Sequence, residues 1–125
     1  FGQNPSAEGE GHDKFDALAK EAGFDGTSAY AGESYDAAAL MLLAMQAAKS
    51  SDPTVYKDKV MEVANEPGEK IYPGELAKGL ELLAAGQDID YVGATSVELI
   101  EPGESAGVYR EVDFKGGKLN VIGYR

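Results

Sequence analysis

Two side chains at the start of an apolar helix are the best candidates in this sequence for contact with a small ligand. Tyr30 and Glu33 precede the uncharged run 37–45. Pockets for small molecules combine apolar surface with a few placed polar groups, and a tyrosine offers a flat apolar body with one polar tip. Glu33 would meet a cationic amine and Tyr30 an apolar side chain. The alternative is that both are structural, with Tyr30 covering a sheet edge.

Other patterns that could support chemistry are incomplete. His12 is the only histidine, and although Asp13 follows it, no nucleophile or metal partner stands at a suitable spacing, so we assign it no catalytic role. Acidic residues occur in close pairs, such as Asp88 with Asp90 and Glu101 with Glu104, but none has the spacing of a calcium-binding loop. The glycine-rich stretches match neither a phosphate-binding loop nor a nucleophile elbow. We therefore expect no enzyme activity, no catalytic residue, no bound metal and no cofactor.

The composition of the chain argues against several classes of binding partner and site. The 125 residues include 22 acidic and 11 basic side chains, a formal charge of −11, and no cysteine. The acids are scattered along the chain, which argues against nucleic acid or an anionic membrane surface as a partner, since both need a basic surface. Disulfides and thiolate sites are excluded. The run 37–45 is too short to span a membrane, which takes about 20 residues.

The first half of the chain predicts helices. Residues 1–11 predict a loop, and the next segment predicts an amphipathic helix that Gly23 ends and an Asp16–Lys20 pair supports. A short extended segment is expected at 28–31. Ser34 is then expected to cap a helix over 35–48, with Asp36 favouring its positive end. Because that helix is apolar on nearly every face, we expect it to be buried in a core or against a sheet, with Tyr35 packed on the core.

The second half predicts two more helices and then strands. Asp52 and Pro53 open a helix that ends near 65–68, and Pro73 opens another that Gly86 closes. From Tyr91 the sequence favours β structure: a strand at 97–101, and a hairpin of 108–114 with 119–124 around a Gly-Gly turn. We thus expect a helical portion at 1–90 and closing strands at 91–125. Strands this few and short would not cover the apolar helix on both sides, which favours a fragment over a complete domain.

The order of these segments resembles a known family. The run HDKFDALAKEAGFDGTSAYAGESYDAAALMLLAMQAAKSSDPTVYKDKVMEVAN, continued by NEPGEKIYPGELAKGLELLAAGQDIDYVGATSVELIEPGES, is similar to the late part of periplasmic substrate-binding proteins of branched-chain amino acid ABC transporters. Phe15, the segment 35–37 and Asp52-Pro53 carry the match. One departure is the turn 100–105, where family members commonly have Phe-Asp and Gly-Asp separated by two residues. The resemblance covers nearly all of this chain but about the C-terminal third of a full-length member.

What the resemblance implies is an α/β fold: the C-terminal fragment of a two-lobed type I periplasmic-binding-protein fold, with three to four helices followed by short β-strands and a hairpin near the interlobe crossover. It implies a periplasmic solute-binding component of an ABC importer that closes on an amino acid or similar small polar solute and delivers it to a membrane permease. Tyr30 and Glu33 would form one wall of its cleft.

Two alternatives stay open: a ligand-sensing or enzymatic domain that reuses the fold, and a stand-alone interaction domain. The sequence has neither an initiator Met nor a signal-peptide pattern, so we expect a processed product or a piece of a longer protein. A fragment would expose apolar surface, so we expect it to self-associate.

Overall fold

The computed structural model describes residues 2–125 as a mixed α/β fold. Phe1, where the predicted helical portion begins, lies outside the described residues. The helices are α1 (Glu10–Ala22), α2 (Ala31–Ala48), α3 (Pro53–Tyr56), α4 (Val60–Ala64) and α5 (Leu76–Ala84). The strands are β1 (Gly2–Ser6), β2 (Glu69–Ile71), β3 (Ile89–Tyr91), β4 (Leu99–Ile100), β5 (Glu104–Ser105), β6 (Val108–Lys115) and β7 (Lys118–Tyr124). None of the helices in this part of the chain is long and apolar enough to cross a membrane.

The strands form three small sheets. β1, β6 and β7 make an antiparallel sheet in that order, β2 and β3 pair in parallel, and β4 pairs with β5. The predicted hairpin is confirmed, because β6 and β7 meet at Gly116 and Gly117, both with positive φ. The predicted loop at 1–11 is wrong in its first part. Gly2–Ser6 forms a strand because β6, over a hundred residues later, supplies its hydrogen-bonding partner.

Helix α2 begins earlier than its sequence predicts. The predicted extended segment at 28–31 is a turn, in which Asp25 accepts hydrogen bonds from the amide and hydroxyl of Thr27. The amide of Ala31 donates a hydrogen bond to the carbonyl of Ser28, and the helix begins at Ala31. Ser34 is therefore not the cap. Its amide already donates within the helix, to the carbonyl of Tyr30.

The helix after α2 follows its prediction closely. The Asp52 carboxylate accepts a hydrogen bond from the amide of Thr54 at 2.9 Å, and Pro53 occupies the first helical position. A 3₁₀ turn at Lys57–Lys59 links α3 to α4, so the three segments make one interrupted helix. It ends before Asn65, whose side chain instead exchanges two hydrogen bonds with the backbone of Leu99. This contact joins the helix to β4.

The core lies between α2, the helix pair α4 and α5, and the parallel strands. Leu43 of α2 and Val63 of α4 are fully buried with Ile71, Ile89 and Tyr91 of β2 and β3. A second layer joins α1 to α2, where the rings of Phe15 and Tyr35 lie 5.2 Å apart. Both layers use α2, which makes it the central element of the fold.

The expectation that α2 is buried is confirmed for one side of the helix only. Met41 and Leu42 are 45% and 48% exposed, and Ala37 and Ala38 next to them are exposed as well. The described part of the chain has helices on one side of α2 and too little sheet to cover the other. An uncharged strip of this helix therefore faces solvent.

Candidate functional site

A buried carboxylate organises the region around the start of α2. Asp36 is 3% exposed and accepts four hydrogen bonds. The donors are the Tyr91 hydroxyl (2.8 Å), the Ala94 amide (2.8 Å), and the amide and hydroxyl of Thr95 (2.9 and 2.7 Å). Asp36 is thus structural, as expected, but not because it lies near the helix dipole. It ties α2 to the turn that follows β3.

The same turn also fixes the position of α1. Gly93 has φ +62°, and a Cβ there would overlap the Asp36 carboxylate. A Cβ on Gly11, in the first turn of α1, would overlap the carbonyl oxygen of Gly93. Both positions therefore need the smallest residue, one for its backbone conformation and one for close approach. The first turns of α1 and α2 consequently meet at one place in the fold.

Two adjoining cavities open where these helix starts face the sheet of β1, β6 and β7. The larger, of about 360 Å³, is lined by residues of β1, α1, α2, β6 and β7, together with Thr95. The smaller, of about 310 Å³, lies toward the segment 105–109. Glu33 and Thr95 border both cavities. Two hydrogen bonds from Thr95 to Asp36 fix the position of Thr95 in the wall that the cavities share.

The structure brings the two predicted ligand residues together. Tyr30, exposed and at φ +66°, and Glu33, half-buried in the first turn of α2, both line the smaller cavity. The sheet-edge alternative for Tyr30 has a counterpart in the same place, since Pro5 and Ser6 of β1, an edge strand of that sheet, line the same cavity. A ligand in either cavity would therefore lie beside Glu33, and a ligand in the smaller cavity would also lie beside Tyr30.

The larger cavity contains charges of both signs. Glu8, Asp13 and Glu33 contribute carboxylates, and Arg110, whose guanidinium donates to the carbonyl of Thr27 at 3.4 Å, contributes a cation. His12 lies on the same wall. The first turns of α1 and α2 have no side-chain cap, so their amides add positive potential at this end of each helix. A small molecule with an amine and an acid group finds complementary partners here.

Sequence reasoning missed several residues of this cavity. His12 and Asp13 have no partner at a suitable spacing in the sequence, and Thr95 and Arg110 give no signal because folding brings them in from distant segments. One usable signal was present: Gly9 precedes α1 where a capping Ser, Thr, Asp or Asn is usual. Among the described residues, no group of three or more potential ligands could hold a metal ion.

The buried hydroxyl of Tyr91 predicts a loss of stability at high pH. Burial, and then the Asp36 carboxylate, raise the pKa of Tyr91 above its ordinary value. The folded state therefore retains a proton that the unfolded chain releases above about pH 10, so the free energy of unfolding falls as pH rises past that point. Denaturant titrations from about pH 8 to 11 should show a shallower decline for Tyr91→Phe than for the wild type. Equal slopes would contradict this assignment.

Comparisons of this chain with known protein families, with curated proteins and with solved structures give no match.

Proposed function

We propose that this chain is the C-terminal part of a two-lobed solute-binding protein that captures a polar small molecule, an amino acid or a related compound. By the resemblance, that protein works in the periplasm and delivers its solute to the permease of an ABC importer. Such binding needs an apolar pocket with a few placed polar groups and no covalent chemistry. The chain carries a candidate for one wall of that pocket.

The observation that carries the proposal is the position of Glu33 between the two cavities. Its carboxylate lies within reach of both, with Tyr30 beside the smaller and Arg110 beside the larger. A zwitterionic solute would place its amine at Glu33 and its carboxylate toward Arg110 and the uncapped helix starts. An apolar side chain of the solute would lie against Tyr30.

The arrangement of strands also supports a larger α/β protein. β2 and β3 pair in parallel, and α5 connects them along the chain, as in the strand–helix–strand unit that repeats in α/β folds. Parallel sheets are normally larger and covered by helices on both faces, whereas this pair has three residues in each strand. A pair this small is better suited to the edge of a wider sheet than to a sheet of its own.

The proposal predicts that removing Glu33 weakens solute binding. Isothermal titration calorimetry of the full-length protein that contains this chain, with leucine, alanine, lysine and glutamate, should detect binding of at least one. For that solute, Glu33→Gln should lose about 1.5–3 kcal/mol, roughly 10- to 150-fold in affinity, because it removes a charge-assisted hydrogen bond to the amine. Tyr30→Ala should lose about 1 kcal/mol through lost apolar contact.

The matched control is Glu21→Gln on α1, which removes one exposed carboxylate away from both cavities. It should leave the affinity unchanged. An affinity that is insensitive to both Glu33→Gln and Tyr30→Ala would show that the assigned site is wrong, and binding of none of the four amino acids would count against the proposed solute class.

A further inference from the structure

The sheet of β1, β6 and β7 has one apolar and one polar face. Alternate residues of β6 face the same side, and the register places Val121 opposite Val112 and Leu119 opposite Phe114. These four side chains therefore share one face. The other face carries Glu111, Asp113 and Lys115, with ion pairs from Arg125 to Glu111 and from Lys115 to Asp113. Such a pattern is typical of a sheet with one side against an apolar partner.

Only the inner end of the apolar face is covered. Val112 is 7% exposed, whereas Phe114, two residues nearer the turn, is 72% exposed, and Leu119 and Val121 beside it are about half-exposed. Burying an aromatic ring contributes more than burying most other side chains, and a cluster of apolar residues at a hairpin end is costly to leave in water. We call Phe114, Leu119 and Val121 the hairpin patch.

The helix α2 has a second exposed apolar surface, on which a sheet face such as the hairpin patch could pack. Ala37, Ala38, Met41 and Leu42, which we call the α2 strip, lie on one side of the helix, since residues three and four apart are neighbours on its surface. No charged residue occurs between Asp36 and Lys49. The small alanines allow a sheet to approach closely, while Met41 and Leu42 offer volume to pack against it.

We propose that a second copy of this chain covers both surfaces, with the hairpin patch of each copy packed on the α2 strip of the other. A two-fold axis makes such an exchange reciprocal, so one pair of copies buries all four surfaces and closes without leading to a polymer. A helix strip on an apolar sheet face is a common form of layer packing in folded domains. This inference goes beyond solute binding, and its test requires no ligand.

Charge favours an interface that contains the hairpin. Two chains with a formal charge of −11 repel each other over most of their surfaces. The hairpin 108–125 differs from the rest of the chain, because its four basic side chains outnumber the two acidic ones, Glu111 and Asp113, and give it a formal charge of +2. Placing this segment against the acidic partner chain lowers the repulsion at the contact. An edge-to-edge pairing of two β7 strands would instead bring Lys118 and Arg125 of two copies together.

Irregular pairing also disfavours the edge as the contact. The register between β6 and β7 shifts at Glu111 and Val112. Bulges and lysines are the usual features that keep an edge strand from pairing with another chain. The face of the hairpin is therefore the better candidate.

Sedimentation velocity of the wild type and of single variants tests the proposal. The wild type should sediment as a dimer, and Leu42→Gln and Phe114→Ser should each weaken association by at least about tenfold, because each removes an apolar contact that occurs twice in the dimer. Ile100→Gln, at an equally exposed apolar residue outside both surfaces, should leave the dimer intact. Circular dichroism of each variant confirms that it is folded. A monomeric wild type would overturn the proposal.

Mixing the two weakened variants identifies which surfaces meet. A Leu42→Gln chain retains its hairpin patch and a Phe114→Ser chain retains its α2 strip, so together they keep one of the two contacts. The mixture should therefore form a mixed dimer at concentrations where each variant alone is monomeric. If α2 strips paired with each other, Phe114→Ser alone would dimerise like the wild type. That outcome, or the absence of a mixed dimer, would contradict the reciprocal arrangement.

Discussion

Replacement of Asp36 by Ala is expected to lower the free energy of unfolding by about 3–5 kcal/mol, because it leaves several buried donors without an acceptor at a cost of roughly 1–3 kcal/mol each. Asp36 is almost fully buried and accepts from Tyr91, Ala94 and Thr95. Without it, the Tyr91 hydroxyl and two backbone amides lose their acceptor in a region from which water is largely excluded. Urea denaturation followed by circular dichroism measures the difference.

Two further variants define that effect. Asp36→Asn keeps the volume but offers one acceptor oxygen and places an amide against donors, so it should lose part of the stability that Ala loses. Glu21→Ala, at an exposed carboxylate, should change the free energy of unfolding by no more than about 0.5 kcal/mol. A loss below about 1 kcal/mol for Asp36→Ala would mean that the network contributes no more than a single ordinary hydrogen bond.

Gly11→Ala is the second change with a large expected effect, and two physical effects of opposite sign compete there. Alanine has the higher helix propensity, which would stabilise α1 by up to about 1 kcal/mol. The added Cβ, however, would overlap the carbonyl oxygen of Gly93, a backbone atom that cannot rotate away. Overpacking of this kind typically costs about 1–3 kcal/mol, so the net result should be destabilisation.

A shift of α1 that relieves this overlap should also change the larger cavity, because the first turn of α1 lines it. If α1 moves away from the 93–96 turn, its first turn leaves the wall of the larger cavity, and solute affinity should fall along with stability. Glu10→Ala, at the neighbouring exposed residue, is the control and should affect neither strongly. A Gly11→Ala variant more stable than the wild type would show that the two segments are not in fixed contact.

The parts of the fold that could be predicted are those whose signals are local. Asp52 and Pro53 begin a helix, Gly23 ends one, and Gly116-Gly117 turns a hairpin, because each effect arises within a few residues of chain. β1 was missed because its hydrogen-bonding partner is β6, over a hundred residues away. The start of α2 was misplaced because Ser34 looked like a cap, while the turn at Asp25 and Ser28 determines the start.

The candidate site could be predicted only in its local part. Tyr30 and Glu33 are close in sequence and both line the smaller cavity. Thr95 and Arg110 join them only through folding, and Thr95 does so through its bonds to Asp36. The position of Asp36 directly before the apolar run 37–45 is the one clue in the sequence to this link. Buried charges need partners, so Asp36 implied a set of donors elsewhere in the chain.

Amide-resolved NMR titration tests whether the cavities beside Glu33 bind a small zwitterionic solute, as we propose. Addition of millimolar amino acid to isotope-labelled protein should shift the amide signals of Glu33 and Thr95, and those of the first turns of α1 and α2, in a saturable manner. Glu33→Gln should weaken that response. Shifts confined to the α2 strip or the hairpin, or no saturable shift with any amino acid, would contradict the account.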